Sequence, residues 1–261
     1  SLIFAGMSGS AAADAAGLGV IEIEAMREEG FDPGFSAAVT AASSVIGPIF
    51  PPSIPFVVYG GLAGVSIARL FLGGAIPAII LTVYMMIVTY IIATRRDYPQ
   101  SKRATFAQFL HAFREAFLPL LTPVLILASI LFGLTTPTEA AVLAVAYAIL
   151  LSVVIYKDMK LKDLWPLMVE TAIEAGTIMF MISTVSAFTW IATRQNVPQT
   201  LSAMLLSLAK TPASLLFVTI VIFLIIGCFI TVTTGLILAV PLLAPVAAAL
   251  NLDPVHYGVV A

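Results

Sequence analysis

The chain has 261 residues, of which 61% are hydrophobic and only 10% are charged, and its net charge is −2. Its mean hydropathy of +1.09 lies well above the range of soluble proteins. This composition predicts an all-α, polytopic protein of the lipid bilayer, and no basic patch suggests a nucleic-acid partner. The single cysteine, Cys228, excludes an intrachain disulfide and a cysteine-based metal cluster.

The first predicted element is an interrupted helix at residues 4–14. Two hydroxyl residues, Ser8 and Ser10, flank a glycine, and the pattern that follows predicts a helix over residues 11–29. Ser10 is placed as the N-cap of that helix, and Asp14 faces the positive end of its dipole. Unwound backbone inside a membrane needs polar partners. We therefore interpret this stretch as the tip of a re-entrant hairpin that holds an ion and a solute.

A proline-rich break interrupts the next predicted helix. This helix is expected to begin near Phe35, after a turn at residues 32–34, and to break at residues 47–55. Four prolines in the break remove four N–H donors, so the carbonyl groups of residues 44–51 lose helical partners. Such a break survives in a membrane only when it faces a cavity or is buried in protein. The helix is expected to resume over residues 56–63.

The middle of the chain is predicted to contain complete spans and two amphipathic helices. The amphipathic helices, residues 104–118 and 162–174, are expected to lie along the membrane interface. The first is expected to turn at Pro119 into the following span. A short helix is predicted at residues 198–209. The predicted spans are residues 70–93, 119–132, 138–156 and 175–193.

The end of the chain repeats the organisation of its beginning. The apolar run 213–230 is followed by a second predicted tip and a helix that ends near Leu250. Gly227 precedes an Asp-Pro turn by 26 residues, as Gly6 does in the first part. Thr231 stands where the first part has a serine. These matched spacings predict two related halves.

The two halves are predicted to have opposite orientations. Five expected crossings separate the two Asp-Pro turns, which places the turns on opposite sides of the membrane. Nine basic residues share one side, which the positive-inside rule assigns to the cytoplasm. Inverted repeats with discontinuous helices are typical of secondary transporters. The nine are Arg27, Arg95, Arg96, Lys102, Arg103, Arg114, Lys157, Lys160 and Lys162, and the other side has Arg69, Arg194 and Lys210.

The hydroxyl groups and free carbonyl groups at the tips predict sodium sites, because a hard cation takes oxygen ligands. An anionic solute is expected between the tips, near helix N-termini. The predicted metal ligands are Ser8, Ser10, Gly47, Phe50 and Pro52 in the first site and Thr231, Thr233 and Thr234 in the second. The predicted solute-binding residues are Ser8, Gly9, Ser10, Asp14, Ser53 and Thr234.

Each of these residues also has a purely structural interpretation. In that interpretation the hydroxyl groups do no more than cap helices, and Asp14 does no more than interact with a helix dipole. Arg194 either attracts an anion or anchors its helix at the interface.

The sequence Gly-Met-Ser-Gly at residues 6–9 is similar to the nucleophile motif of rhomboid proteases. Neither His111 nor His256 is predicted inside a span, where a catalytic base would be needed, so no enzymatic activity is predicted. A channel is a further rival, but inverted broken-helix hairpins favour alternating access.

Three motifs together resemble the DctM-like large membrane subunit of TRAP transporters, and the resemblance extends over essentially the whole chain. They are residues 4–17, residues 43–55 with Tyr59 and Gly60, and residues 133–141. The resemblance implies a bacterial inner-membrane system with a small membrane subunit and a periplasmic binding protein. It also implies Na⁺ coupling and import of organic acids such as C4-dicarboxylates or sialic acid. The family's first Na⁺ site falls on Ser8, Ser10 and the Gly47 region.

The family mechanism implied by this resemblance is an elevator motion. Residues 1–64 and 213–261 would form the transport domain, and residues 65–212 would form the scaffold. The family commonly has an acidic residue where this chain has Thr231, which puts the carried-over role of that carboxylate in doubt. The family subunit also extends beyond both ends, so we expect the second broken helix to be incomplete and this chain alone not to transport. The alternative is a stand-alone Na⁺/carboxylate transporter of related fold.

Overall fold

The computed structural model describes residues 2–98, 105–208 and 211–261, and every regular element in this part of the chain is a helix. Lys102, Arg103 and Lys210, which contribute to the predicted charge asymmetry, lie outside the described residues. The chain divides into two compact units. The first consists of Ser1–Ile54 and Gly74–Asp158, and the second consists of Pro55–Gly73 and Met159–Ala261.

The first unit contains the first hairpin tip, the proline-rich break and three long helices. A π-helical segment, Asp14–Leu18, joins α2 to α3, so that residues 11–28 form one helical rod after the tip. A second π-helical segment, Leu150–Ile155, extends α8. The helices are α1 (Leu2–Ser8), α2 (Ala11–Ala13), α3 (Gly19–Glu28), α4 (Pro33–Ser44), most of α6 (Ile67–Arg95), α7 (Phe106–Leu131) and α8 (Pro137–Ile149).

The second unit contains the helix that resumes after the proline break and the second hairpin. Its tip lies between α11 and α12, and α12 has the same length as the helical rod after the first tip. The helices that follow the two tips therefore match in length, and the inverted repeat stays a prediction. The helices are α5 (Ile54–Ala63), α9 (Leu164–Arg194), α10 (Val197–Leu208), α11 (Pro212–Gly227), α12 (Val232–Ala249) and α13 (Pro254–Val260).

Five helical segments in the described residues are long and apolar enough to cross a membrane. At about 1.5 Å per residue, each would span most or all of a hydrocarbon core about 30 Å thick. The prediction of an all-α polytopic membrane protein is therefore confirmed. The five are Ile67–Arg95, Phe106–Leu131, Pro137–Ile155, Leu161–Arg194 and Val232–Ala249.

Polar caps fix the helix starts that the sequence predicted. The carboxylate of Asp32 accepts the N–H of Phe35 at 2.9 Å, and that of Asp253 caps α13 in the same way at the second Asp-Pro turn. Thr136 and Glu139 form a reciprocal capping box at the start of α8. Each cap satisfies an N–H group that would otherwise lack a partner in the first helical turn.

The predicted turn at Pro119 is absent, because α7 continues through this proline without interruption. Proline has no N–H, so the carbonyl group of Glu115 loses its helical partner. The hydroxyl group of Tyr156 donates a hydrogen bond to that carbonyl oxygen at 2.9 Å. A side chain on the neighbouring segment thus replaces the missing donor. Similarly, residues 164–174 are the first turns of the continuous helix α9, and the interfacial location of both amphipathic stretches stays a prediction.

In the second unit, α5 and α13 cross in direct contact. The hydroxyl group of Tyr59 donates to the carbonyl oxygen of Pro254 at 2.8 Å. The ring of Tyr59 lies over Gly258, where an added Cβ would be only 2.2 Å from a ring carbon. Tyr257, beside this crossing, has its hydroxyl group 3.4 Å from that of Thr219. Both tyrosines are only 1% exposed, so the contact belongs to the packed interior of this unit.

This crossing predicts that Gly258→Ala destabilises the protein. A Cβ at this position collides with a buried ring that cannot move aside, and such overpacking costs about 1–3 kcal/mol. The measurement is the Tm of the full-length protein in detergent. Gly61→Ala is the matched control, since nothing lies within 4 Å of its added Cβ. Equal melting temperatures for Gly258→Ala and the wild type would contradict the packing described.

Candidate functional site

The first tip is a sharp interruption between α1 and α2. Gly9 has a φ of +60°, in the left-handed region that an L side chain rarely adopts. Ser10 is extended, and its Oγ accepts the N–H of Ala13 at 3.4 Å. The predicted N-cap role of Ser10 is therefore confirmed. Its possible role as an ion ligand stays a prediction.

Ser8 is held by a different interaction. Its hydroxyl group donates a hydrogen bond to Oδ1 of Asp14 and accepts the N–H of Ser10 at 3.3 Å. The Ser8 Oγ also lies 3.5 Å from the Ser10 carbonyl oxygen, and its possible role as an ion ligand stays a prediction.

Asp14 is the most deeply buried carboxylate in the described part of the chain, with 4% of its surface exposed. It opens the π-helical segment after the tip, in the first turn of the rod, as the sequence predicted. Its Oδ1 accepts the Ser8 hydroxyl, but its Oδ2 is buried and has no hydrogen-bond partner. An unpaired carboxylate oxygen in an apolar interior is costly unless a positive charge or a proton joins it.

The proline-rich break packs directly against the first tip, inside the first unit. An added Cβ at Gly47 would lie 2.7 Å from Asp14 Oδ2 and 3.3 Å from the Ser10 carbonyl oxygen. An added Cβ at Gly9 would lie 2.8 Å from the carbonyl oxygen of Pro52. Residues 45–53 lie outside any helix, although the carbonyl group of Ile46 still accepts the N–H of Phe50 at 2.8 Å.

Two further residues of the break have defined contacts. The hydroxyl group of Ser53 donates to the carbonyl group of Pro48. The ring of Phe50 lies against Gly6, where an added Cβ would be 3.2 Å from it. The structure thus brings the tip serines together with Gly47 and the break, as predicted from the sequence. The ion-binding and solute-binding roles of these residues stay predictions.

The second tip has a different hydrogen-bonding pattern. Thr231 occupies the N-cap position of α12, but its side chain makes no cap hydrogen bond. Its hydroxyl group instead lies 2.9 Å from that of Thr234, which also donates to the sulfur of Met181 at 3.7 Å. Thr231 is exposed, and Thr233 and Thr234 are partly buried. The second sodium site and the solute position between the tips stay predictions.

Arg194 lies at a pocket of about 680 Å³ within the second unit. Its guanidinium carbon is 5.5 Å from the centre of the Trp190 ring, a cation–π distance. Ser186, Thr189 and Thr193 also line this pocket. The pocket combines one cation with hydroxyl groups and an aromatic wall, and the anion-attracting role of Arg194 stays a prediction.

Sequence reasoning missed one polar surface next to the first tip. The buried face of α4 includes Ser36, Thr40 and Ser44, which recur at intervals of four residues. This hydroxyl stripe at helical spacing was the available signal. Thr40 packs its Cγ2 methyl group toward Gly19, and its Oγ1 is buried without a hydrogen-bond partner. Thr40 therefore has, like Asp14, a buried side-chain oxygen without a hydrogen-bond partner.

Comparison with known proteins gives a consistent result. The family model for the DctM component of the tripartite ATP-independent periplasmic transporters matches residues 1–261. The sialic acid TRAP transporter large permease protein SiaM of Vibrio cholerae is 41% identical over 261 residues, which cover 100% of this chain and 61% of that protein. The sialic acid TRAP transporter permease protein SiaT of Haemophilus influenzae is 40% identical over 99% of this chain and 42% of its own length.

A more distant relative is named for a different solute. The C4-dicarboxylate TRAP transporter large permease protein DctM of Pseudomonas aeruginosa is 31% identical over 99% of this chain and 61% of its own length. The chain thus spans less than two thirds of the length of these three relatives.

The close approach at the first tip predicts that Gly47→Ala disrupts it. The new methyl group would collide with Asp14 Oδ2 and with the backbone of Ser10. We expect a loss of about 1–3 kcal/mol in stability, measured as a lower Tm of the full-length protein. Gly17→Ala is the matched control, because its added Cβ would make only an ordinary 3.8 Å contact with Phe4. A Gly47→Ala protein as stable as this control would contradict the geometry of the tip.

Proposed function

Since the chain belongs to the DctM component family of the tripartite ATP-independent periplasmic transporters, we propose that it forms part of a permease subunit that imports organic acid anions together with Na⁺. It is a multi-pass protein of the bacterial inner membrane. The relatives are transport permeases, and the proposed activity is transport rather than catalysis.

The observation that carries the Na⁺ proposal is the unsatisfied polar character of the first tip. Hydroxyl and carbonyl oxygens from Ser8, Ser10 and the break meet there beside a buried carboxylate. Na⁺ is close in size to Ca²⁺, which takes oxygen ligands at about 2.3–2.6 Å. A bound cation would interact favourably with the polar groups of the unwound backbone, which need partners inside a membrane. Na⁺ is cargo in this proposal, and the carbonyl groups of Gly47, Phe50 and Pro52 would complete its ligand set.

The proposed solute is an organic acid anion. Its carboxylate would lie near the N-termini of α2 and α12, where unpaired N–H groups favour negative charge. Ser53 and Thr234 would contribute hydroxyl groups from the break and the second tip. The relatives named for sialic acid share 41% and 40% identity with this chain, against 31% for the C4-dicarboxylate relative. We therefore propose sialic-acid-type anions as the first solutes to test and C4-dicarboxylates as the second.

The proposed assembly has two protein partners, a periplasmic binding protein that delivers the solute and a small membrane subunit. One relative, 34% identical over 99% of this chain, is named the isethionate TRAP transporter permease protein DctMQ of Oleidesulfovibrio alaskensis. The proposed mechanism is an elevator motion of the hairpin tips with their ions and solute, coupled to the Na⁺ gradient. A stand-alone Na⁺/carboxylate transporter of related fold is the second candidate, since it would use the same tip chemistry.

Removing the Ser8 hydroxyl group tests the Na⁺ proposal. Ser8→Ala should raise the Na⁺ concentration for half-maximal uptake by about tenfold or more, equivalent to about 1.4 kcal/mol. The measurement is solute uptake by proteoliposomes of the full-length protein over a range of Na⁺ concentrations. Ser183→Ala is the control, because that hydroxyl group bonds only within its own helix. Unchanged Na⁺ dependence in Ser8→Ala would contradict the assignment.

Delivery of the solute separates the two candidate functions. Proteoliposomes with an inward Na⁺ gradient are supplied with labelled sialic acid or labelled C4-dicarboxylate, with and without the periplasmic binding protein. The tripartite proposal expects uptake only when the binding protein is present. Uptake of either solute at full rate without any delivery protein would favour the stand-alone transporter instead.

A further inference from the structure

We infer that a groove between α4 and α6, within the first unit, binds one phospholipid that has an ethanolamine headgroup. The phosphate would lie on Arg96, the ammonium group on Asp32, and one acyl chain along the walls below them. The groove shares no lining residue with the first tip or the proline-rich break. The inference is therefore independent of the proposed Na⁺ coupling.

The groove is long enough for an acyl chain. Its volume is about 410 Å³, and its lining extends from Asp32 and Arg96 to Ala42 on α4 and Met85 on α6. A helix rises about 1.5 Å per residue, so the stretch from Met85 to Arg96 is about 16 Å long. This is about half of a hydrocarbon core about 30 Å thick. The groove can therefore cover the acyl-chain region of one leaflet.

The mouth of the groove lies where a membrane span ends. The span Ile67–Arg95 ends immediately before Arg96. Two aromatic rings, Phe31 and Tyr98, lie beside the mouth with their centres 4.8 Å apart. Arginine and tyrosine at the end of a span are typical of the level of the lipid headgroups. The charged mouth is thus expected at that level, and the walls below it at the level of the acyl chains.

The walls below the mouth are apolar, and Thr89 is their only polar residue in the lining of the groove. A small organic acid would leave these walls without an apolar partner, whereas an acyl chain would remove them from other contacts. The groove therefore favours an amphipathic ligand over a water-soluble one. The apolar side chains used in this argument are Ala38, Val39 and Ala42 on α4 and Met85, Val88 and Ile92 on α6.

The mouth carries one negative and one positive side chain. Asp32 and Arg96 are the only charged residues in the lining of the groove, and neither forms an ion pair with a described residue. Oδ1 of Asp32 accepts the N–H of Phe35, and its Oδ2 has no hydrogen bond to a described residue. Both charges are therefore available to a ligand.

Arg96 is held in place by aromatic residues. Its guanidinium carbon is 5.7 Å from the centre of the Phe35 ring, and one N–H group donates to the hydroxyl group of Tyr98 at 3.4 Å. The hydrogen bond to Tyr98, and to a smaller extent the negative charge of Asp32, raise the pKa of the guanidinium group. A guanidinium group has five N–H donors, so several remain for the oxygen atoms of a phosphate.

This pair of charges selects among headgroups. Asp32 disfavours phosphatidylglycerol, whose phosphate brings a negative charge and no cation for the carboxylate. The ammonium group of phosphatidylcholine has no N–H to donate, whereas that of phosphatidylethanolamine has three donors, as a lysine side chain has. Phosphatidylethanolamine therefore matches both Arg96 and Asp32.

The test measures lipid binding to the delipidated full-length protein in detergent by native mass spectrometry. The ligands are phosphatidylethanolamine, phosphatidylcholine and phosphatidylglycerol with identical acyl chains, and soluble phosphoethanolamine as a competitor. Arg96→Gln and Asp32→Asn each remove one charge, and asparagine retains the helix cap. Ala38→Leu fills the groove. The matched controls are Arg95→Gln and Ala37→Leu, the same changes at neighbouring positions outside the lining.

The wild-type protein is expected to bind one phosphatidylethanolamine about tenfold more tightly than either other lipid, because only that headgroup pairs with both charges. Arg96→Gln and Asp32→Asn should abolish this preference, and Asp32→Asn should bind phosphatidylglycerol at least as tightly as phosphatidylethanolamine. Ala38→Leu should weaken binding of all three lipids by about tenfold, since its side chain occupies the place of the acyl chain. Both controls should bind as the wild type does.

Three results would overturn the inference. One is equal affinity of the wild type for the three lipids, or tighter binding of phosphatidylglycerol. Another is an equal loss of preference in Arg95→Gln and Arg96→Gln, or of affinity in Ala37→Leu and Ala38→Leu. The third is displacement of the lipid by phosphoethanolamine at similar concentration, which would assign the site to a soluble zwitterion instead.

Discussion

The first tip depends on the close approach of two unwound backbone segments. Gly9 and Gly47 have no side chains, and at each position an added Cβ would meet a polar atom of the opposite segment within 2.8 Å. The approach brings Ser10, Asp14 and the carbonyl groups of the break into one small volume. Unpaired polar groups inside an apolar protein are expensive. Because Gly9 and Gly47 have no side chains, these polar groups can lie close together. Their burial would be unfavourable without a bound partner.

Local rules were sufficient for the parts of the fold that depend on local chemistry. The cap at Asp32, the capping box of Thr136 and Glu139, and the break follow from residue type and spacing, although the break lies at residues 45–53 rather than at the predicted 47–55. Each is determined by which backbone N–H groups exist and which side chains can satisfy them. For the same reason, the presence of a polar tip beside a polar break could be predicted from the sequence.

The features that sequence reasoning missed depend on residues distant along the chain. Continuity of α7 through Pro119 relies on the hydroxyl group of Tyr156, which satisfies the carbonyl group that the proline leaves free. The close packing of Thr40 on α4 against the helical rod depends on the absence of a side chain at Gly19. The pairing of Ser8 with Asp14 depends on how the chain turns at the tip. None of these contacts is encoded in a short sequence window, so tertiary structure was needed to find them.

The helices that follow the two tips have equal lengths, but the two tips do not have matched chemistry. Ser10 caps its helix, whereas Thr231 has no cap bond and pairs with Thr234.

The crossing of α5 and α13 also carries a consequence for sequence variation in the family. The ring of Tyr59 occupies the volume that a side chain at position 258 would need. These two positions should therefore covary among homologues, with any residue larger than glycine at 258 accompanied by a smaller one at 59.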